Sequence, residues 1–316
     1  MLLDVNLMKK QSEMLWEPAL LDRLGHFHSL DGYKLIQPYP IKPVNKRLDF
    51  DVLCHDRATE IMATGKKINL LWSGGADSSL VLMLLHRQGI SPEQLRVLAS
   101  TDTMKLNPEL ASMVMKTYEM DSPRLHEDGL RHYMDDQQLI LSGIGLDMLT
   151  GCGFDVTESG CETLPELTKW LQSVTGSQAS ADEYEAIYKA LEEGAGSPCT
   201  TIPEYSRLKN TCLCWQPELL MVGRLSGFGI YGEHYLNFYQ TNDFESWSMV
   251  LSPNDLCKRD DDGNKKTATD LLKTLDEKTI PKARCRQNLS MVDLFKSKNV
   301  VKITDDWQYI TDETPS

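Results

Sequence analysis

Short apolar runs bounded by glycine-rich turns dominate the middle of the chain. Ile68-Asn69-Leu70-Leu71-Trp72 is compact and apolar enough for a buried parallel strand. A turn-rich stretch follows, Ser73 to Ser79, and then Leu80, Val81, Leu82, Leu84 and Leu85 form an apolar helix that stops at Gly89. Leu95 to Ala99 supplies a second strand after the short turn Ser91-Pro92-Glu93. Asn107-Pro108 is an N-cap followed by proline at the first helical position, which predicts a helix to about Met120. Gln138 to Leu141 gives another strand that runs straight into Ser142-Gly143-Ile144-Gly145-Leu146-Asp147. With a helix from Asp56 to Ala63 ahead of Gly65, strand and helix alternate from about 67 to 150, the pattern of a parallel sheet with helices on its faces.

The flanks read differently. Pro38, Pro40 and Pro43 break any helix there, so residues 1–50 are expected to form an extension and not a domain. Residues 51–155 form the α/β core, and 156–316 a mostly helical region that completes the substrate site. Within it Ser180 and Glu183 make a capping box for a helix closed by Gly194. The charged stretch 258–266 is expected to be a loop; Lys258 stands where a calcium loop needs a carboxylate.

Composition narrows the function classes. With 33 basic and 46 acidic residues the net charge is −13, which argues against a general nucleic-acid surface. No apolar run approaches the ~18 residues of a membrane span, and a cytoplasmic location is expected. Eight irregularly spaced cysteines are read as reduced thiols. Cys212-x-Cys214, with Cys199 and Cys257, is either a zinc knuckle or a set of buried thiols, and the spacing favours the second. Cys152 and Cys161 have no activating base beside them in sequence. Tyr231, His234, Tyr235 and Tyr239, near Glu233, Asp243 and Glu245, either line a pocket or belong to an amphipathic segment packed on the core. His55, His86, His126 and His132 form no metal-binding pair and receive no role.

The two glycine-bearing turns carry the chemistry. Gly74 and Gly75 permit close backbone approach, so successive N–H groups can point at an anion, and the next helix adds its positive dipole end. Ser73, Ser78 and Ser79 offer hydroxyl donors, and Asp77 is a hard oxygen ligand for Mg²⁺ bridging phosphates. This is a polyphosphate cradle without the lysine of a Walker A loop. The plain alternative is a Gly-Ser turn joining strand to helix. Ser142, Gly143 and Gly145 leave a strand end in the same way, and ligands of open α/β sheets collect at such ends. Asp147 then offers a second carboxylate to the same metal. A dinucleotide fingerprint starting at Gly143 fails, because its third glycine position is Met148.

Ser-Gly-Gly-Ala-Asp-Ser-Ser at 73–79 resembles the signature of the N-type ATP pyrophosphatases, the PP-loop superfamily. Ser-Gly-Ile-Gly-Leu-Asp at 142–147, with Leu149 and Gly151, is similar to the second loop of the asparagine synthetase C-terminal domain and its β-lactam synthetase relatives. Asp56-Arg57-Ala58 and the segment Ile280 to Arg286 add fragments of likeness, which is concentrated at about 50–155. The resemblance implies an adenine nucleotide alpha hydrolase-like core and cleavage of ATP between its α and β phosphates. An acceptor oxygen is adenylated, and ammonia or an amine, possible from a separate protein, displaces AMP. It implies that Ser73, Gly74, Gly75, Asp77, Ser78 and Ser79 hold pyrophosphate, that Asp77 and Asp147 bind Mg²⁺, and that the strand end from Val97 to Ser100 lies along the adenosine. Lys282 is the candidate cation for charge developing on the bridging oxygen.

The departures shape the expectation. Residue 2 is Leu, without the N-terminal Cys of a glutaminase domain, so glutamine is not the expected nitrogen source. Met148 stands where the synthetases place Glu, which puts asparagine formation itself in doubt. The acceptor is a small molecule or a nucleobase, and a homo-oligomer is left open. Two alternatives remain: a nucleobase-modifying enzyme of the superfamily, making a deazaguanine nitrile or thiolating RNA, and a non-catalytic nucleotide-binding scaffold. The lack of an RNA-binding module and the acidic charge count against thiolation.

Overall fold

The computed structural model describes residues 48–99, 101–122, 132–133, 135–151, 235–256 and 266–276, with short pieces at 19–21, 34–36, 161–163, 165–167, 201–204, 206–207, 302–303 and 309–310 and single residues at 169, 189, 199 and 258. At 147 and 148 the description covers the backbone alone.

Helix α1 (Phe50–Ala63) precedes the sheet and starts earlier than its apolar pattern suggests, because Asp49 accepts the Asp51 N–H at 3.0 Å and caps it. Strand β1 (Lys67–Leu71) leads through the first glycine turn into α2 (Ala76–Arg87), and β2 (Leu95–Leu98) follows. Next come α3 (Thr101–Leu106), α4 (Pro108–Thr117) and β3 (Glu119–Asp121). The expected cap at α4 is present: Asn107 accepts the Leu110 N–H at 3.3 Å, with Pro108 at the first turn. Strand β4 (Gln138–Ser142) runs into the second glycine turn and the short α5 (Leu146–Leu149). Beyond residue 155 the chain returns with β5 (Tyr235–Asn237), α6 (Asn242–Met249) and α7 (Lys266–Asp276). The capping box at 180–194, the segment 280–286 and residues 259–265 lie outside the described residues.

The five strands form one all-parallel sheet in the order β3-β2-β1-β4-β5. The expected α/β class is therefore observed, with one extension: the fifth strand comes from residue 235 onward, so the sheet reaches past the core boundary expected at 155. The chain builds outward from β1 to β3, then crosses to the other side of β1 and builds outward again. The reversal falls between β1 and β4, and in open sheets that point opens a crevice beyond the carboxyl ends of the two strands.

One face of the sheet is apolar. Ile68 and Leu70 of β1, Leu95 and Val97 of β2, and Leu139 and Leu141 of β4 align in register and are all buried, in one core with Leu80 to Leu85 of α2 and Leu271 and Leu272 of α7. Each such side chain contributes about 1.5–3 kcal/mol by leaving water. The opposite face is mixed. Asn69 is buried and donates to the Tyr133 carbonyl at 2.7 Å, and it accepts from Arg96, whose guanidinium lies over the Tyr133 ring at 5.4 Å. Among the described residues no helix is long and apolar enough to cross a membrane.

Candidate functional site

Because β1 and β4 are adjacent and parallel, with Leu71 opposite Ser142, both glycine turns leave the sheet at the same edge, side by side. The first turn closes on itself. The Ser73 N–H donates to Ser78 Oγ at 3.2 Å, the two hydroxyls lie 3.0 Å apart, and the Gly75 N–H reaches Ser73 Oγ at 3.4 Å. Gly74 takes φ +81°, a conformation a side chain resists, and so lets the chain turn sharply from strand into helix. Helix α2 begins with no side-chain cap, which leaves its first-turn N–H groups and its dipole facing the edge of the sheet.

The serines divide by depth. Ser73 is exposed, while Ser78 is buried and tied to the Gly75 carbonyl at 3.3 Å. Ser79 is fully buried, and its hydroxyl accepts the Trp72 indole N–H at 3.0 Å, an internal tie and not a group turned to the edge. Asp77 sits half-exposed in the first turn of α2.

The second turn rests on the first. A Cβ at Gly143 would meet Ser78 Cα and Val81 Cγ2 at 3.0 Å and the Asp77 carbonyl oxygen at 3.2 Å, so glycine is what allows this approach. Ser142 is fully buried, and its hydroxyl accepts the Ile144 N–H at 3.2 Å and sets the bend. Gly145 takes φ +106° and opens α5, whose second residue is Asp147. The side chains of Asp147 and Met148, and the whole of Ser100 and Lys282, lie outside the described residues. The structure thus brings together Ser73 to Ser79 with Ser142, Gly143 and Gly145.

A third element, absent from the expected cradle, braces both turns. Tyr239, just past β5, donates from its hydroxyl to the Asp77 carbonyl at 3.1 Å, and its own N–H donates to Asn237 Oδ1 at 3.1 Å. Of the aromatic and acidic set read as a pocket lining, Tyr239 is packed in the core with Phe238 and Phe244, Glu245 is buried in α6, and Asp243 is exposed. Tyr239 therefore follows the packed-segment alternative, while Tyr231, Glu233 and His234 lie outside the described residues. Burial, with Cys54 and Asp77 nearby, raises the Tyr239 pKa and keeps the phenol neutral. Burial, then Asp51, does the same for the Cys54 thiol, which stays protonated and inert.

Asp147 lies on the same edge by backbone position, two residues after Gly145. Among the described residues no group of three His, Cys, Asp or Glu is placed to hold a metal. Of the cysteines set aside as a knuckle, Cys199 is half-buried and not in a disulfide, and Cys212, Cys214 and Cys257 lie outside the described residues. The chain matches no protein-family model, and no curated protein matches it significantly.

Proposed function

We propose that the chain is an AMP-forming ATP pyrophosphatase of the PP-loop type that joins a nitrogen nucleophile to an adenylated acceptor. One observation carries this reading: at the switch point of a parallel sheet, Gly143 of the second turn lies against Asp77 and Ser78 of the first. Two donor-rich turns in contact make one anion cradle long enough for a polyphosphate, with the N-terminus of α2 pointing into it.

In this reading the N–H groups that open α2, with the Ser73 hydroxyl, hold the β and γ phosphates. An oxygen of the acceptor attacks the α phosphorus, a new O–P bond forms, and the bond from that phosphorus to the α–β bridging oxygen breaks. Pyrophosphate leaves with that electron pair. Asp77 and Asp147 would hold a Mg²⁺ ion, which would supply charge neutralisation for the departing pyrophosphate, and Lys282 is the candidate cation for charge developing on the bridging oxygen. Ser100 and the end of β2 flank the adenosine. The amine or ammonia nitrogen then attacks the adenylated carbon, loses a proton, and AMP leaves.

Incubating the protein with ATP, Mg²⁺, ammonium and a panel of carboxylate and nucleobase acceptors distinguishes this chemistry from phosphoryl transfer. AMP and pyrophosphate are the expected products. ADP as the product overturns the reading.

A further inference from the structure

Asn237 ends β5 directly beside Ser142, the last residue of β4, so it stands on the same carboxyl edge as both glycine turns. The residue is buried, and three of its polar atoms have settled roles or directions. Its backbone carbonyl accepts from Arg57 Nη2 at 3.4 Å. Its Oδ1 accepts the Tyr239 N–H, and a backbone donor there requires the oxygen, so the amide lies one way round with Nδ2 on the other side. Nδ2 lies 3.8 Å from where a Cβ at Gly145 would begin. Among the described residues none accepts a hydrogen bond from it. Gly145, at φ +106°, puts no side chain of its own against that amide, and Ile144 beside it is 37% exposed. An amide donor whose oxygen is already fixed by the backbone is preorganised for a ligand oxygen.

We propose that Asn237 is a substrate-binding residue of this site, donating from Nδ2 to a carboxylate or carbonyl oxygen of the acceptor. The inference rests on the nucleotide reading above and adds a direction to it. Across the edge the order is β2, β1, β4, β5. With adenosine at the end of β2 and the polyphosphate over the turn after β1, Asn237 stands on the flank away from the adenine, beside the second turn, where it is free to take an acceptor and not the nucleoside. A neutral donor orients an acceptor oxygen there without binding it so strongly as a cation would.

The test uses the full chain labelled with ¹⁵N, with the Asn237 side-chain amide signal assigned by its loss in Asn237→Asp. That variant keeps an oxygen for the Tyr239 N–H and replaces the donor with a carboxylate oxygen, and Asn237→Leu, which removes the donor without adding charge, is expected to weaken carboxylate binding in the same direction. The protein is saturated with Mg²⁺ and α,β-methylene-ATP, then titrated with acetate, succinate, L-aspartate and L-glutamate. The expected result is that nucleotide alone leaves the amide signal in place and at least one carboxylate moves it to saturation. Asn237→Asp is then expected to weaken that carboxylate by about 10- to 100-fold, read on the Ile144 backbone amide, with nucleotide affinity within about twofold of the parent. Normal nucleotide binding with no carboxylate response, or an amide signal moved by nucleotide alone, overturns the assignment of Asn237 and leaves the nucleotide reading standing. Failure to bind nucleotide at all overturns both.

Discussion

The two ends of the parallel sheet carry different kinds of hydrogen-bonding groups. At the amino end, Glu119 of β3 accepts from Lys67 of β1 at 2.7 Å and from Arg96 of β2 at 2.8 Å, and the Lys67 and Ile68 N–H groups are taken by the carbonyls of Gln137 and Gln94. Charge and backbone are satisfied inside the protein. At the carboxyl end, α2 starts without a side-chain cap, Gly74 and Gly145 hold the backbone open, Gly143 brings the turns into contact, and Asn237 keeps an amide without a partner among the described residues. A closed end contributes to stability, and an end with unspent donors has the capacity to bind. In the reading proposed above, the ligand goes to the carboxyl end.

The largest effect expected from breaking this contrast is on the carboxyl end. Asp77→Ala should lower MgATP turnover on the order of 10³-fold, measured as pyrophosphate release, while stability changes by about 1 kcal/mol or less, because the side chain is half-exposed. Unchanged release rejects its role. Gly143→Val should lower stability by about 1–3 kcal/mol in denaturant unfolding and weaken nucleotide binding together, since the new side chain meets backbone of α2 at 3.0 Å. A variant that folds and binds as the parent would show that the turns do not need this contact. Tyr239→Phe removes the hydroxyl from the Asp77 carbonyl and should cost about 1 kcal/mol.

The smallest effect is expected at the amino end. Hydrogen bonds from Arg96, then Lys67, hold the Glu119 carboxyl below its usual pKa. A folded-state pKa below the unfolded value means stability that is present above pH ~4.3 and is lost as pH falls through the lower folded value. Glu119→Gln should therefore cost no more than about 1 kcal/mol at pH 7, because the carboxylate is 47% exposed and screened by solvent, with the difference from the parent vanishing in acid. Turnover should be unchanged. A pH-independent difference would place its cause in packing.

Much of the closed core was readable from local pattern. The apolar runs of β1, β2 and β4, the Asn107-Pro108 start and the Gly89 stop each rest on neighbours in sequence. Two strands were not readable, for different reasons. Glu-Met-Asp of β3 is a half-exposed edge strand with neither an apolar run nor a clear alternation. Tyr-Leu-Asn of β5 pairs with a strand more than 90 residues earlier, and three residues carry no sign of so distant a partner. Asn237 and the Tyr239 tie to Asp77 were missed for the same reason. The residue pattern predicts a turn through Ser79, whereas α2 takes up residues from Ala76 onward; Asp and Ser disfavour helix interiors but suit a first turn.

In the function proposed above, the two adjoining turns share one divalent ion through Asp77 and Asp147. Electron paramagnetic resonance of Mn²⁺ added with α,β-methylene-ATP reads that ion directly. The parent is expected to hold one Mn²⁺ per chain only when nucleotide is present, and Asp77→Asn and Asp147→Asn are each expected to weaken it at least tenfold. Retention of the ion at parental affinity in Asp147→Asn, with Asp77→Asn alone losing it, would contradict a shared site.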